Sequence, residues 1–194
     1  MSGDPASGDP VSGDPATGIP VSGDPGTRPV LVLVGPPGAG KTTVGRLVAE
    51  QLGVGFRDTD ADVVETVGKP IAEVFIDDGE EHFRALEKTA VAAALASHAG
   101  VLSLGGGAVL DPDTRELLRG QQTVLLQVDL SSAAGRVGMN RDRPVLALNP
   151  RAQLKQLLDA RMPLYLEVAT HVVDTSKKPP RQVVDEVLQA VGHE

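Results

Sequence analysis

Five consecutive aliphatic residues, Val30 to Val34, run straight into Gly35-Pro36-Pro37-Gly38-Ala39-Gly40. Lys41-Thr42-Thr43 then opens a segment whose apolar positions, Val44, Leu47, Val48 and Leu52, recur at helical spacing. No other feature constrains the chain as tightly. An unbroken aliphatic run suits a strand buried on both faces. G-x-x-x-x-G-K-[ST] between such a strand and a helix reads as a phosphate-binding loop. Gly38 and Gly40 let backbone N–H groups turn inward, at the head of a helix whose N-terminus carries partial positive charge. Lys41 is placed to reach terminal phosphates, and the Thr42 hydroxyl to ligate Mg²⁺. A nucleoside triphosphate site is the expectation, with the destination of the phosphate left open.

Composition narrows the rest. The 194 residues suffice for one α/β domain with its own core, and 41% of them are hydrophobic. Without a single Cys, disulfides, thiol catalysis and zinc–cysteine sites are excluded. The four His, at 82, 98, 171 and 193, are too scattered for a ligand pair on one helix face. Net charge is −8; the first 28 residues hold four Asp and one Arg, leaving 22 acids against 17 bases, or −5, on the remainder. That balance argues against nucleic acid as a partner. No apolar run approaches the roughly 20 residues of a membrane span, and the N-terminus lacks the basic and apolar segments of a signal peptide. A soluble, cytoplasmic monomer is expected.

Residues 2–26 form a degenerate five-residue repeat, SGDPA, SGDPV, SGDPA, TGIPV, SGDPG. A Pro in every unit denies a helix and little apolar surface is available to bury, so residues 1–28 read as a disordered extension. From there on, short aliphatic strands alternate with helical segments, the pattern of a doubly wound parallel sheet. Strands are expected at 30–34, near 55–57, and at 101–104, 123–128 and 171–173. Helices are expected at 41–52, about 60–67, 71–97 with a break near Asp77-Asp78-Gly79, 111–119, 131–138, 150–168 and 180–191.

Six further groups bear on chemistry. Asp58 and Asp60, at i and i+2 past the second strand, would lie on the same side of the sheet, one near Mg²⁺ and one on a hydroxyl proton. A helix cap explains either residue as well. Asp129, after Val124–Val128, has the form of a Walker B acid, but the Ser131-Ser132 that follows favours a cap. Arg84 has Glu87 one turn on, within ion-pair reach, and Arg can grip a carboxylate with two parallel hydrogen bonds; an ordinary surface ion pair is the plainer alternative. Phe75 and Phe83 flank this segment and, taken alone, read as core. Gly105-Gly106-Gly107 directly after a strand permits close approach of a ligand and leaves N–H groups for anions. Asn140-Arg141-Asp142-Arg143-Pro144 sits in a loop of lid length, where an Arg can close over phosphates; a solvated charge run reads equally well. Arg161 precedes Pro163, which interrupts the next helix.

As an ordered set, these residues resemble shikimate kinase, a P-loop enzyme of the nucleoside-monophosphate-kinase-like fold that makes shikimate 3-phosphate on the way to chorismate. The resemblance spans about 29–192 and rests on Gly35–Thr42, Asp58-Thr59-Asp60, Asp78-Gly79-Glu80 with Phe83-Arg84, Gly105–Gly107, Arg143-Pro144 and Arg161-x-Pro163-Leu164-Tyr165. It implies a three-layer P-loop kinase fold over 29–194: a five-stranded parallel sheet flanked by helices, a lid and a substrate-binding helical segment. It further implies that Gly38, Ala39, Gly40, Lys41, Thr42 and Thr43 hold ATP, with Thr42 on Mg²⁺ and Asp58 reaching the metal through water. Asp60 would hold shikimate hydroxyls and serve or position the base on the 3-hydroxyl. Arg84 and Arg161 would clamp the carboxylate, Gly106 with Gly105 and Gly107 would complete the site, and Phe75 and Phe83 would wall the ring. Lys41 and Arg143 would stabilise the transferring phosphoryl group, and Arg136 with Lys178 resembles the adenine-contacting positions.

Departures are few. The repeat is outside the family core, Ala147–Pro150 is not diagnostic, and Thr42 stands where the family often has Ser. Two rival readings remain: another small-metabolite kinase of this fold, such as a gluconate kinase, and a nucleotide-binding module without transfer chemistry.

Overall fold

The computed structural model describes residues 28–138 and 150–192. The repeat at 2–26 and the Asn140–Pro144 stretch, Arg143 with it, lie outside the described residues. Strand β1 (Leu31–Val34) leads through the glycine loop into α1 (Lys41–Leu52), followed by β2 (Phe56–Asp58), α2 (Thr59–Val67), α3 (Ile71–Asp77) and α4 (Gly79–Ser97). Then come β3 (Val101–Ser103), a 3₁₀ turn (Ala108–Leu110), α5 (Pro112–Leu118), β4 (Thr123–Gln127), α6 (Leu130–Gly138), α7 (Pro150–Val168), β5 (His171–Asp174) and α8 (Pro180–Ala190).

All five strands are parallel, in the order β2-β3-β1-β4-β5. Every residue of β1 is buried, as an unbroken aliphatic run in a central parallel strand must be. The register sets Asp58 against Ser103, and Ser103 against Leu33, so β2, β3 and β1 deliver their carboxyl ends to one edge. The chain leaves β1 towards β2 and β3 on one side and β4 and β5 on the other. A ligand crevice forms at such a reversal, outside the carboxyl ends.

Apolar residues fall into three clusters. One sheet face packs Leu31, Leu33, Val124 and Leu126 against Val44 and Val48 of α1 and Val184 and Val187 of α8. The other packs Val32, Val34, Leu102 and Leu125 against Val91 and Leu95 of α4 and Leu118 of α5. Helix α7 serves both, with Leu154 and Leu158 in the first cluster and Tyr165 and Val168 in the second. A third, small cluster joins α2, α3 and α4 through Val63, Val74 and Phe83. Among the described residues no helix is long and apolar enough to cross a membrane.

Two local expectations change. Asp60 lies in the first turn of α2, which Asp58 caps by accepting from the Asp60 N–H at 3.1 Å. Strand parity therefore does not relate the two carboxylates. Residues 108–110 form a 3₁₀ turn ahead of α5, which Asp111 caps through the Thr114 N–H at 2.8 Å. Helix α7 runs through Pro163 to Val168, as the sequence suggests, with the proline exposed.

Candidate active site

The loop after β1 takes the shape its glycines permit. Gly38 (φ 79°) and Gly40 (φ 88°) are left-handed, and a Cβ on Gly38 would meet the Ala133 carbonyl of α6 at 3.0 Å. Helix α1 begins at Lys41 with no side-chain cap and no acid in its first turn, so no side chain of that turn competes with an anion at its N-terminus. The Lys41 ammonium lies across the loop, donating to the Gly35 carbonyl at 2.7 Å and the Pro36 carbonyl at 3.2 Å. Ala39 is buried, and Thr43 is exposed on the first turn.

At the mouth of the loop the Thr42 hydroxyl donates to Asp58 Oδ2 at 2.8 Å, while Oδ1 of the same carboxylate caps α2. The two readings of Asp58 are thus compatible: one oxygen holds the helix and the other faces the phosphate loop. Among the described residues no three His, Asp or Glu side chains converge as a metal cage. Paired hydroxyl and carboxylate oxygens beside a phosphate site nevertheless fit Mg²⁺, which takes few protein ligands and completes its shell with water and phosphate.

Arg136 of α6 is engaged with the loop itself. Its guanidinium donates to the Gly38 carbonyl at 3.0 Å, to the Thr175 hydroxyl at 3.1 Å and to the Thr175 carbonyl at 2.7 Å. Lys178, on the same turn after β5, pairs with Glu186 at 2.6 Å. Asp129 caps α6, accepting from the Ser132 N–H at 2.7 Å and its hydroxyl at 3.0 Å, and those bonds hold its carboxyl below the usual range. The cap expected from Ser131-Ser132 is the contact that Asp129 makes.

The second half of the site is built around Gly105–Gly107. Gly105 and Gly107 are buried and Gly106 is half-exposed. A Cβ on Gly105 would lie 2.5 Å from both Asp60 Oδ1 and Glu87 Oε1, and one on Gly107 would overlap the Arg84 guanidinium. Asp60, Glu87 and Arg84 therefore press directly on the glycine backbone. Arg84 donates to Glu87 at 2.6 Å and to Glu80 at 3.0 Å, and its guanidinium lies 5.2 Å from the Phe83 ring centroid and 6.0 Å from that of Phe75. The two rings are 4.6 Å apart and tilted. Arg161 of α7 donates to the Gly106 carbonyl at 3.0 Å. On the other side, a Cβ on Gly106 would touch Pro37 at 3.3 Å, so this turn abuts the phosphate loop.

Glu87 is 3% exposed and its carboxyl is raised: burial dominates, the Arg84 charge opposes it, and the nearby Asp60 charge adds to it. Arg84 is held more firmly charged despite its burial, because Glu87 faces it. Tyr165 is fully buried, and burial pushes its phenol up to about 12. Neither Glu87 nor Tyr165 stands out from sequence as a site residue. Spacing announces the Arg84–Glu87 pair, but its burial beneath a glycine turn is a tertiary property. Thr59 is likewise buried, and its hydroxyl accepts the Gly105 N–H at 3.0 Å.

The chain is similar to known proteins over most of its length. The family model described as shikimate kinase matches residues 37–192. A shikimate kinase of Salinispora arenicola is 62% identical over 159 residues, covering 82% of this chain and 95% of the relative. The structure of an Acinetobacter baumannii shikimate kinase in complex with shikimate superposes with a TM-score of 0.81 at 36% identity, covering 85% of this chain and 93% of the other. A gluconokinase from Sinorhizobium meliloti reaches a TM-score of 0.55 at 25% identity, covering 87% and 92%.

Proposed function

The chain belongs to the shikimate kinase family, and from that premise we propose that it transfers the γ-phosphoryl group of ATP to the 3-hydroxyl of shikimate, releasing shikimate 3-phosphate and ADP. The observation that carries this reading is one contact. The Gly105–Gly107 turn, crowded by Asp60, Glu87 and Arg84 and bonded by Arg161, packs against Pro37 of the phosphate loop. A small carboxylate with hydroxyls, bound at that turn, would present an oxygen to a phosphate held by the loop.

Each residue then has a task. The backbone of Gly38–Thr43 would receive the β- and γ-phosphates at the head of α1. Lys41 would exchange its bonds to the Gly35 and Pro36 carbonyls for the phosphate oxygens, balancing their charge as the phosphoryl group moves. Thr42 and Asp58 would hold Mg²⁺, which when bound neutralises phosphate charge. Asp60 would accept or orient the 3-hydroxyl proton, so that the oxygen attacks as its bond to hydrogen weakens. Arg84, kept in place by Glu87, would grip the substrate carboxylate together with Arg161, and Phe75 and Phe83 would back the ring. Arg143 would close over the phosphoryl group. Arg136 and Lys178 would border the base, with Arg136 also bracing the loop.

Coupled ADP release from the purified protein, with ATP, Mg²⁺ and either shikimate or gluconate, tests the proposal. Turnover with shikimate alone is expected. Turnover with gluconate and not shikimate overturns it, and binding of ATP and shikimate without turnover leaves only a nucleotide-dependent binding module.

A further inference from the structure

Each carbonyl of the glycine turn has a partner. Gly105 accepts from the Ala108 N–H at 3.1 Å and Gly107 from the Leu110 N–H at 2.9 Å, both within the local 3₁₀ turn. The Gly106 carbonyl instead accepts from two side chains of α7, the Tyr165 hydroxyl at 2.5 Å and Arg161 at 3.0 Å. Among the N–H groups, Gly105 donates to Thr59, while those of Gly106 and Gly107 make no hydrogen bond among the described residues. A peptide plane carries its C=O and the following N–H in opposite directions. Whatever holds the Gly106 oxygen therefore also aims the Gly107 N–H. Three glycines in a row bring no side chain of their own to fix that plane.

We propose that Tyr165 is a positioning residue for acceptor binding: its hydroxyl clamps the Gly106 carbonyl and thereby aims the Gly107 N–H. This rests on the reading that Arg161 grips the substrate carboxylate. An arginine that turns to a substrate loosens its bond to Gly106, whereas the Tyr165 ring is locked in the core among the residues of the second cluster. Tyr165 supplies the hold that does not move.

Tyr165→Phe keeps the ring and removes the hydroxyl. Hydrogen exchange over residues 105–110 of the ligand-free protein is expected to quicken several-fold, and unchanged exchange overturns the proposal whatever the substrate is. In steady state, KM for shikimate is expected to rise about five- to tenfold, the equivalent of one buried hydrogen bond, with KM for ATP within about twofold. No rise, or an equal rise for both substrates, makes Tyr165 a packing residue and overturns the proposal. Should the variant fold poorly, the unaltered protein still decides the matter. Tyr165 is the only Tyr and there is no Trp, so emission excited near 280 nm reports on this phenol alone. Shikimate added without ATP is expected to change that emission, and no change at saturation counts against the shared carbonyl. If the unaltered protein fails to turn over shikimate, the substrate reading falls while hydrogen exchange still judges Tyr165.

Discussion

Alanine at Gly105 separates the acceptor half of the site from the fold that carries it. The backbone there is not in the left-handed region, so an L side chain meets no torsional strain. The obstacle is local: the new Cβ would stand 2.5 Å from Asp60 Oδ1 and 2.5 Å from Glu87 Oε1, where ordinary contact begins at 3.4 Å. Each carboxylate must retreat by about 0.9 Å, and a misplacement near 1 Å lowers a positioned reaction by about 100-fold. Alanine at Gly106 is the comparison, since its Cβ would meet Pro37 at 3.3 Å, which a few tenths of an ångström relieves, and the Gly35 carbonyl at an ordinary 3.6 Å. Coupled ADP release with shikimate varied at saturating ATP, then the reverse, is the assay. Gly105→Ala is expected to lose about 100-fold in kcat/KM for shikimate, and Gly106→Ala only a few-fold, each with KM for ATP within about twofold. Thermal melts run alongside gauge overpacking, which costs about 1–3 kcal/mol when a core does not yield. Equal losses for the two variants, or a matching loss in ATP affinity, would refute the assignment of Asp60 to the acceptor.

Arg84→Ala should raise KM for shikimate by at least about tenfold and leave ATP binding near normal, since it removes a charge-assisted partner worth about 1.5–3 kcal/mol; equal loss for both ligands in a calorimetric titration would contradict the carboxylate grip. Asp58→Ala should raise the Mg²⁺ concentration needed for half-maximal rate, while Asp129→Ala, which removes the α6 cap, should lower the melting temperature and leave that Mg²⁺ dependence alone. The Glu87 carboxyl is raised above its ordinary value by burial, so protonation favours the folded state. Its contribution is fully present below about 4.5 and is lost as pH rises through the folded value. Melting curves from pH 4 to 8 should therefore show Glu87→Gln gaining on the unaltered protein as pH rises; a constant difference would mean that Glu87 is as comfortable charged in the fold as out of it.

Much of this was legible in the sequence because it is local. Val30–Thr43 contains both the periods and the breakers of a strand, loop and helix, so β1 and α1 could be read to within a residue. Asp129 could be recognised as a cap from the Ser131-Ser132 that follows it. The rest depends on what the chain brings together. Strand parity does not relate Asp58 and Asp60, because Asp58 ends β2 and caps α2 while Asp60 already follows the helical turn. Arg84 with Glu87 reads as a surface pair at spacing i, i+3; the packing of Gly105 against Glu87, from the end of the strand that follows α4, belongs to the tertiary fold. Arg136 could be placed near the nucleotide, but its bonds to Gly38 and Thr175 join residues 98 and 39 positions apart, which no window of sequence spans.

The small cluster of Val63, Val74 and Phe83 has a consequence for how such a protein can change over generations. Helices α2 and α3 and the start of α4, which carry Asp60, Phe75 and Arg84, share a small apolar cluster of their own, while the rest of α4 packs into the second large cluster. Substitutions that reshape what is recognised can accumulate in α2, α3 and the start of α4 without disturbing the machinery that handles ATP. Descendants could then trade one hydroxylated acid for another while inheriting the phosphate chemistry whole.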